Sequence, residues 1–222
     1  MTGLASSPIW VDRYVSKDHC AFCQEGAELR ASHILPAFVF RWLKKSGGTG
    51  HLRNARTPNR RAQDGIKIRL LCRDCEQLFS GFERQFADKL FLPYTKDDGL
   101  KLVYGDWLAR FCASLSWRVL VLLIRENRLQ SITAAQSKAA RAALATWESF
   151  IRGDISNPGV FEQHILPFPG ISETTIQNLP NNMNRYAPGG RDRFSQRRAE
   201  RHGHDVRQDR AAFHLRLRGA AS

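Results

Sequence analysis

Four of the five cysteines stand in two Cys-x-x-Cys pairs, and they are the residues of this sequence best suited to metal chemistry. The first pair is Cys20 and Cys23, and the second pair, Cys72 and Cys75, follows after 48 intervening residues. A gap of two residues lets both thiolates of a pair reach one tetrahedral zinc ion, and two such turns complete a four-sulfur site. The spacing therefore predicts one structural zinc ion, against the alternative that four core cysteines fall at this spacing by chance. Cys112 lies on the apolar face of a predicted helix and is interpreted as a small core residue.

The insertion between the two pairs is strongly basic. Between residues 41 and 69 there are nine Lys or Arg residues and a single acid, Asp64. Cationic side chains beside Gly and Asn residues are typical of a surface that follows a phosphate backbone, although a solvated basic face is the simpler alternative. The residues predicted to contact nucleic acid are Lys44, Lys45, Arg53, Arg56, Arg60, Arg61, Arg69 and Arg73.

The composition of the whole chain agrees with such a partner. Lys and Arg number 34 against 21 Asp and Glu, which gives a net charge of +13 over 222 residues. A surplus of this size favours nucleic acid, because cationic side chains release counterions condensed on phosphates. An anionic membrane surface is the competing partner, but it requires an amphipathic helix with a basic polar face, which the sequence does not show. We expect no membrane partner.

Cysteine usage and apolar content predict a soluble cytoplasmic protein. An odd number of cysteines at metal-type spacing favours a reducing compartment over a disulfide framework. The first ten residues lack the basic start and apolar run of a secretory signal. The most apolar stretch, Leu115 to Ile124, is interrupted by Arg118 and is shorter than the roughly 20 residues of a membrane span.

Local patterns around the cysteines predict the elements that position them. A helix is expected from Pro36 to Lys45, where apolar residues recur at helical spacing. Residues 49 to 65 lack an apolar period and are predicted to form a long basic loop. The alternating stretch Ile66 to Leu70 predicts a strand that delivers Cys72, and a helical stripe running to Pro93 predicts a helix that starts at the zinc site.

The second half of the chain is predicted to be mainly helical. One helix is expected between Gly105 and Asn127, and a second from Thr133, a candidate cap, to Gly153, so that the two pack as a hairpin. A short strand is expected between residues 160 and 168. The segment from residue 187 has nine arginines, no lysine and few large apolar residues, and is predicted to be disordered or to fold on contact.

These patterns together predict an α+β, mainly helical chain with one principal folding unit and an appendage. The expected divisions are a lead-in over residues 1–19, a zinc-binding module with its basic loop over 20–92, a mainly helical region over 93–186 and a flexible Arg-rich tail over 187–222.

Three stretches in a fixed order resemble the zinc-containing branch of the HNH, or ββα-metal, endonuclease family. They are Cys20-Ala-Phe-Cys23, Ser32-His33-Ile34-Leu35-Pro36 and Leu70-Leu71-Cys72-Arg73-Asp74-Cys75-Glu76, and the match covers about a third of the chain. The resemblance implies a ββα-metal, treble-clef-like zinc module. It also implies hydrolysis by a histidine general base with a divalent ion, Mg or Mn, that offsets charge on the phosphate and leaving oxygen.

The resemblance carries over to individual residues. His33 matches the general base, and Glu76 occupies the position of the metal ligand on the helix. Ser32 stands where the family has Asp, Glu or His, and a hydroxyl is a poorer ligand for a hard cation than a carboxylate. The family's central Asn has no direct counterpart, so a residue of the basic loop would have to replace it. The candidates are Asn54, Asn59 and Asp64.

Two functions of different classes follow from these observations. The first is an HNH-like endonuclease acting on nucleic acid phosphodiesters, with DNA expected ahead of RNA and phage defence as a setting that the resemblance allows. The second is a non-catalytic, zinc-stabilised nucleic-acid-binding protein with a degenerate HNH site. A third, weaker hypothesis is that the helical region over residues 105 to 152 docks onto a protein partner.

Overall fold

A two-stranded antiparallel sheet and the helix that follows it form the centre of the cysteine-rich region. Strand β1 (Arg30–His33) pairs with strand β4 (Lys67–Leu71). Helix α3 (Arg73–Phe86) begins directly after β4, with Cys72 as its N-cap residue. The prediction that this helix starts at the cysteine site is confirmed. The computed structural model describes residues 9–47, 50–54, 57–96, 103–168 and 212–216.

Helix α3 forms because its aromatic residues recur on one face. Phe79, Phe82 and Phe86 are spaced by three and four residues, and all three are buried. The helix continues through a π-helical turn (Ala87–Phe91) into the short helix α4 (Leu92–Lys96). This aromatic face turns α3 toward the protein core.

Helix α2 (Ala37–Ser46) follows Pro36, as the sequence predicted. The next segment differs from its prediction as a loop, because strands β2 (Leu52–Asn54) and β3 (Thr57–Ala62) form an antiparallel hairpin. The sequence of this hairpin is Arg-rich and lacks the apolar alternation of a half-buried strand, so composition alone gave no sign of it. The basic insertion therefore contains ordered, paired backbone.

Two long helices form the predicted hairpin of the second half. Helix α5 (Asp106–Arg125) is followed by α6 (Ala134–Arg152), and the two are in contact. The Thr133 hydroxyl accepts a hydrogen bond from the Gln136 backbone N–H at 3.2 Å, and the Gln136 side chain accepts one from the Thr133 N–H at 2.8 Å. This reciprocal capping box starts α6, and Gly153 ends it in the left-handed region at φ 92°.

One hydrophobic core includes residues of both the cysteine-rich region and the helical hairpin. Trp117 of α5 is fully buried, and its ring lies edge-on to Phe22 at 5.4 Å and to Phe79 at 5.6 Å. Tyr14 reaches the same indole, at 6.4 Å, from helix α1 (Ile9–Val15), which the predicted lead-in did not anticipate. The helical hairpin therefore packs directly on the module that carries the cysteines.

Three arginines of the helical hairpin donate hydrogen bonds to backbone carbonyls in the first half of the chain. Such bonds satisfy carbonyl groups that have no partner in a sheet or helix, and charged donors make them stronger than neutral ones. The pairs are Arg118 with His33 at 2.9 Å, Arg125 with Ser16 at 3.0 Å and Arg152 with Phe22 at 2.9 Å.

A buried carboxylate links α1, α5 and α6. Glu148 of α6 is 2% exposed and accepts hydrogen bonds from Arg13 at 2.8 Å, Tyr14 at 2.8 Å and Trp117 at 3.0 Å. Burial raises the pKa of Glu148, against the opposing effect of these donors. Through these hydrogen bonds the Glu148 carboxylate connects α1, α5 and α6, a contact that the sequence did not predict.

Part of the Arg-rich tail is a strand. Strand β5 (His164–Phe168) pairs antiparallel with β6 (Ala212–Arg216) along its full length. The tail was predicted to be disordered from residue 187 on arginine content, but Ala-Phe-His-Leu-Arg alternates apolar and polar residues, which suits a strand. The rest of the predicted tail lies outside the described residues.

Helix α5 has the length and composition of a membrane span, with a mean hydropathy of 1.6 over its most apolar window. The apolar stretch predicted to be too short for a membrane span, Leu115 to Ile124, is thus only part of a 20-residue helix. Half of that window is buried within the protein, and core helices of soluble proteins pass the same test. Since α5 contacts α1, α3 and α6, its apolar face has a packing role. The cytoplasmic location stays a prediction.

Candidate metal centre and the adjoining histidine site

The four paired cysteines converge, as predicted, into a cluster able to hold a metal ion such as zinc. The sulfur atoms of Cys20, Cys23, Cys72 and Cys75 all lie within 4.8 Å of one another. The Sγ atoms of Cys23 and Cys72 are 3.7 Å apart. Tetrahedral zinc with bonds of about 2.3 Å places neighbouring sulfurs roughly 3.8 Å apart, so the cluster fits this ion.

Backbone hydrogen bonds form the turn that holds the first cysteine pair. The Gln24 N–H donates to the Cys20 carbonyl at 2.9 Å, and the Cys20 N–H donates to the Glu25 carbonyl at 2.9 Å. Gln24 itself has a left-handed φ of 66°. The Ala21 N–H donates to the Leu70 carbonyl of β4 at 3.0 Å, which fixes the first pair beside the second.

The second pair spans the junction between strand and helix. Cys72 caps α3, and its carbonyl accepts the Glu76 N–H at 3.0 Å in the first helical turn. Cys75 is the third residue of the helix and is buried. The helix therefore supplies one cysteine from its start and one from its first turn, and both face the first pair.

Hydrogen bonding and burial separate the pKa values of the Cys20, Cys23 and Cys75 thiols. The Cys75 thiol holds the pKa of Cys20 at about 4, and the same contact raises the pKa of Cys75. Burial raises the pKa of Cys23 to about 11. Thiolates this close together repel one another, whereas a bound divalent ion favours the thiolate form of its cysteine ligands.

His33 ends strand β1, and its imidazole contacts groups from two further elements. Its Nε2 lies 3.1 Å from Asp64 Oδ2, and the side chain is 20% exposed. Its ring stacks on Phe40 of α2 with centroids 6.3 Å apart and planes inclined by 26°. Lys67 lies 2.6 Å from the same Asp64 oxygen and, with the other donors, holds the pKa of Asp64 well below its usual range.

Ser32 and Glu76 meet on the other face of β1. The Ser32 hydroxyl is fully buried and donates to Glu76 Oε2 at 2.5 Å. Adjacent strand residues point to opposite faces, so Ser32 meets α3 while His33 faces α2 and the loop that carries Asp64. Within the described part of the chain, no hydrogen bond joins His33 directly to Glu76. The two predicted catalytic residues therefore contact different groups on opposite faces of β1.

The predicted nucleic-acid contacts fall in several places. Lys44 of α2 donates to the Gln63 carbonyl at 3.2 Å, and Arg69 of β4 donates to the Leu29 carbonyl at 3.4 Å, so these two cations also support local structure. The solvent-exposed members of the predicted set include Lys45, Arg60, Arg61 and Arg73. The backbone of Arg53 pairs with Arg61 in the β2–β3 hairpin, and Arg56 lies outside the described residues.

Sequence reasoning missed the role of Arg118, which it treated only as an interruption of an apolar stretch. The side chain is 2% exposed, and its Nη1 donates to the His33 carbonyl at 2.9 Å and to Glu83 Oε1 at 2.5 Å. The guanidinium also lies over the Phe79 ring at 5.6 Å. An arginine inside an apolar helix face is itself a signal of a buried partner, since an unpaired buried charge is costly.

The fold and its site define a mainly helical α+β protein with a four-cysteine cluster suited to a metal ion such as zinc. A scan against protein-family models, a search of curated proteins and a search of solved structures each returned no match. The resemblance to the HNH family therefore stays a prediction from the residues of this sequence.

Proposed function

We propose that this protein is a metal-dependent endonuclease of the HNH type that hydrolyses nucleic acid phosphodiesters, with DNA ahead of RNA. The observation that supports it most is the succession of β1, β4 and α3 around the four-sulfur cluster, with His33 at the end of β1 and Glu76 in the first turn of α3. In this proposal zinc is a scaffold, because four thiolates leave it no open position for substrate.

His33 is the general base of this proposal. A neutral imidazole accepts a proton from water, and a positioned base of this kind contributes about 10²- to 10⁴-fold to a rate. The partial exposure of the His33 side chain supports the role, because an attacking water must reach it. The fixed contacts of the ring support it further, because a base has to be oriented toward its water.

Glu76 is the proposed ligand of a divalent cation. The Ser32 hydroxyl occupies Oε2 of the carboxylate, so Oε1 is the oxygen available to a cation. Mg²⁺ commonly binds through one or two carboxylates, with water and substrate phosphate filling the remaining positions. When bound, such an ion offsets charge on the phosphate and on the leaving oxygen.

The β2–β3 hairpin is the proposed path of the nucleic acid backbone. Arg60 and Arg61 are exposed on β3, and the chain runs from the end of this strand at Ala62 to Asp64 beside His33. The exposed arginines of β3 are therefore close in sequence to Asp64, which contacts the proposed base His33. Contacts of this kind bind phosphates of any sequence, so they position the substrate without selecting bases.

A nicking assay tests the proposal. Full-length protein should nick supercoiled plasmid in Mg²⁺ or Mn²⁺, and His33→Ala should lower the rate by about 100-fold or more while the zinc content stays unchanged. His19→Ala is a matched control, because His19 is an exposed histidine whose ring contacts Ser16 and lies outside the proposed base, cation ligand and hairpin. A His33→Ala protein that cuts at the wild-type rate would exclude the proposed mechanism.

One observation favours a second candidate, a zinc-stabilised nucleic-acid-binding protein without catalysis. Ser32 is fully buried where the family has a metal-binding residue, and it engages the only carboxylate of the proposed cation site. This candidate predicts that the protein shifts nucleic acid in a gel but does not cut in any divalent ion. The same assay therefore separates the two functions.

A further inference from the structure

The carboxylate of Asp64 is held by three donors from neighbouring residues. Its Oδ2 contacts Lys67 Nζ at 2.6 Å and His33 Nε2 at 3.1 Å, and its Oδ1 accepts the Gly65 N–H at 2.9 Å. An ionised carboxylate only accepts hydrogen bonds. All three contacts are therefore compatible only if the Nε2 of His33 carries a proton.

This requirement decides the tautomer of a neutral His33. When Nε2 donates to Asp64, the remaining lone pair lies on Nδ1, because a neutral imidazole has one donor and one acceptor nitrogen. Nδ1 is then the nitrogen free to accept a proton. The opposite tautomer would place two lone pairs against each other at Nε2 and Oδ2, which is unfavourable.

Gly65 allows this loop to lie where it does. A Cβ added to Gly65 would lie 2.0 Å from Cε2 of Phe40, far closer than van der Waals contact. Phe40 is the ring on which the His33 imidazole stacks. The absence of a side chain at position 65 thus lets the loop pass over Phe40 and present Asp64 to the edge of the histidine ring.

We infer that Asp64 is the positioning residue of His33, which fixes the Nε2–H tautomer and leaves Nδ1 as the proton acceptor. Lys67 and Gly65 in turn hold Asp64 in place. The inference deepens the proposed function, since it assigns to a loop carboxylate the orientation of the proposed base. Asp64 touches His33 and no reacting atom, so its effect on a reaction is indirect.

The test reads the tautomer directly, so it does not depend on cleavage. Long-range ¹H–¹⁵N correlation spectra of the full chain, labelled on histidine and recorded with His33 neutral, should show the Nε2–H form in the wild type. Asp64→Asn should lower the ratio of Nε2–H to Nδ1–H forms by about three- to tenfold, because an amide can donate to Nε2 where a carboxylate cannot. Asp64→Glu, which keeps the carboxylate, should restore most of the wild-type ratio.

Asp88→Asn is the matched control, because Asp88 is an exposed aspartate on the π-helical turn after α3. It should leave the His33 signals unchanged. In a protein that cuts, Asp64→Asn should lower kcat by about 10- to 100-fold and change KM little, because a misoriented base affects the chemical step.

The outcomes separate the inference from the proposed function. A tautomer shift in Asp64→Asn supports the positioning role, even if the wild type cuts nothing and the nuclease proposal fails. An unchanged tautomer ratio in Asp64→Asn overturns the inference, even if the wild type proves to be an active nuclease. A shift of equal size in Asp88→Asn would also overturn it.

Discussion

The four-sulfur cluster and the histidine site share one strand pair but are built in different ways. Register places Arg30 of β1 opposite Leu71, next to Cys72, and places His33 opposite Lys67 at the other end of the ladder. The cluster consists of four equivalent ligands from two short local motifs, three of them buried. The histidine site takes its groups from β1, α2 and a loop, and it is partly open to solvent.

Because of this difference, we expect the sulfur cluster to determine folding and the histidine site to determine any chemistry. Sulfur ligands that close around an ion couple metal binding to folding, so the cluster is expected to determine whether the module folds at all. Exposed ionic contacts such as that of Asp64 with Lys67 contribute little to the free energy of unfolding. This contact instead orients the Asp64 carboxylate. Changes at the cluster should therefore unfold the protein, whereas changes at the histidine site should leave it folded.

Loss of a cysteine ligand should have the largest effect. Cys72→Ser removes one of the four sulfur ligands and keeps a residue suited to the N-cap position of α3. Structural zinc contributes on the order of 10 kcal/mol to the folding of small zinc modules, comparable to the whole stability of a domain. We expect loss of zinc by elemental analysis and loss of the cooperative thermal transition by circular dichroism.

Cys112→Ala provides the control for that experiment. Cys112 is buried in α5, outside the cluster, and burial alone raises its pKa to about 12. Its replacement should cost only about 1 kcal/mol, the typical effect of a small core truncation, and leave the zinc content unchanged. Equal destabilisation by both substitutions would show that the cluster holds no structural ion.

Arg118→Met should have the next largest effect, and it tests the connection between the helical hairpin and the histidine site. Removal of the guanidinium leaves Glu83 without its buried partner and the His33 carbonyl without its donor. Breaking a buried ion pair on one side typically costs about 3–5 kcal/mol. Urea denaturation should show this loss.

The paired substitution Arg118→Met with Glu83→Gln sharpens the result. If the cost arises from an unpaired buried charge, the double variant should recover part of the lost stability. If it recovers nothing, the contribution of Arg118 lies in its other contacts, which include the His33 carbonyl and the Phe79 ring. Zinc should stay bound in both variants, since neither residue contacts the sulfur cluster.

The features that the sequence predicted correctly are those specified by residues close together in the chain. The cysteine spacing predicted the cluster because two residues between ligands are enough to specify a turn. The α6 start was predicted at Thr133 because threonine is a common N-cap residue, and the structure adds the reciprocal bond with Gln136. The mainly helical character of residues 106 to 152 followed from apolar periodicity in the same way.

Features that depend on distant residues were missed or left open. The Arg118 contact spans 85 residues, and the Tyr14 contact with Glu148 spans 134. A local pattern can indicate that a charged residue has a buried partner, as at Arg118, but it cannot identify a partner so far away in the sequence. Helix α1 was not predicted within the lead-in. Asp64 was one of three candidates to replace the central Asn, and only the path of the loop past Phe40 distinguishes it. Side-chain chemistry of this kind is decided by tertiary packing.

The smallest expected effect compares two glycines, one beside the histidine site and one on α3. Gly65→Ala forces a Cβ against Phe40, and overpacking of this kind typically costs about 1–3 kcal/mol. The loop should move, and the spectrum of His33 should change while zinc stays bound. Gly81→Ala meets no atom within 4 Å on an exposed helical position, so it should stabilise the protein by about 0.5–1 kcal/mol.

Thermal denaturation and histidine spectra of the two variants complete the comparison. We expect Gly65→Ala to lower the melting temperature and Gly81→Ala to raise it, with a changed His33 signal in Gly65→Ala alone. This result would show that close packing against Phe40, and not only polar contacts, holds the loop that carries Asp64. If both variants were equally stable and left His33 unchanged, the loop would have room to adapt. Asp64 would then have to be oriented by Lys67, the donor closest to its carboxylate at 2.6 Å.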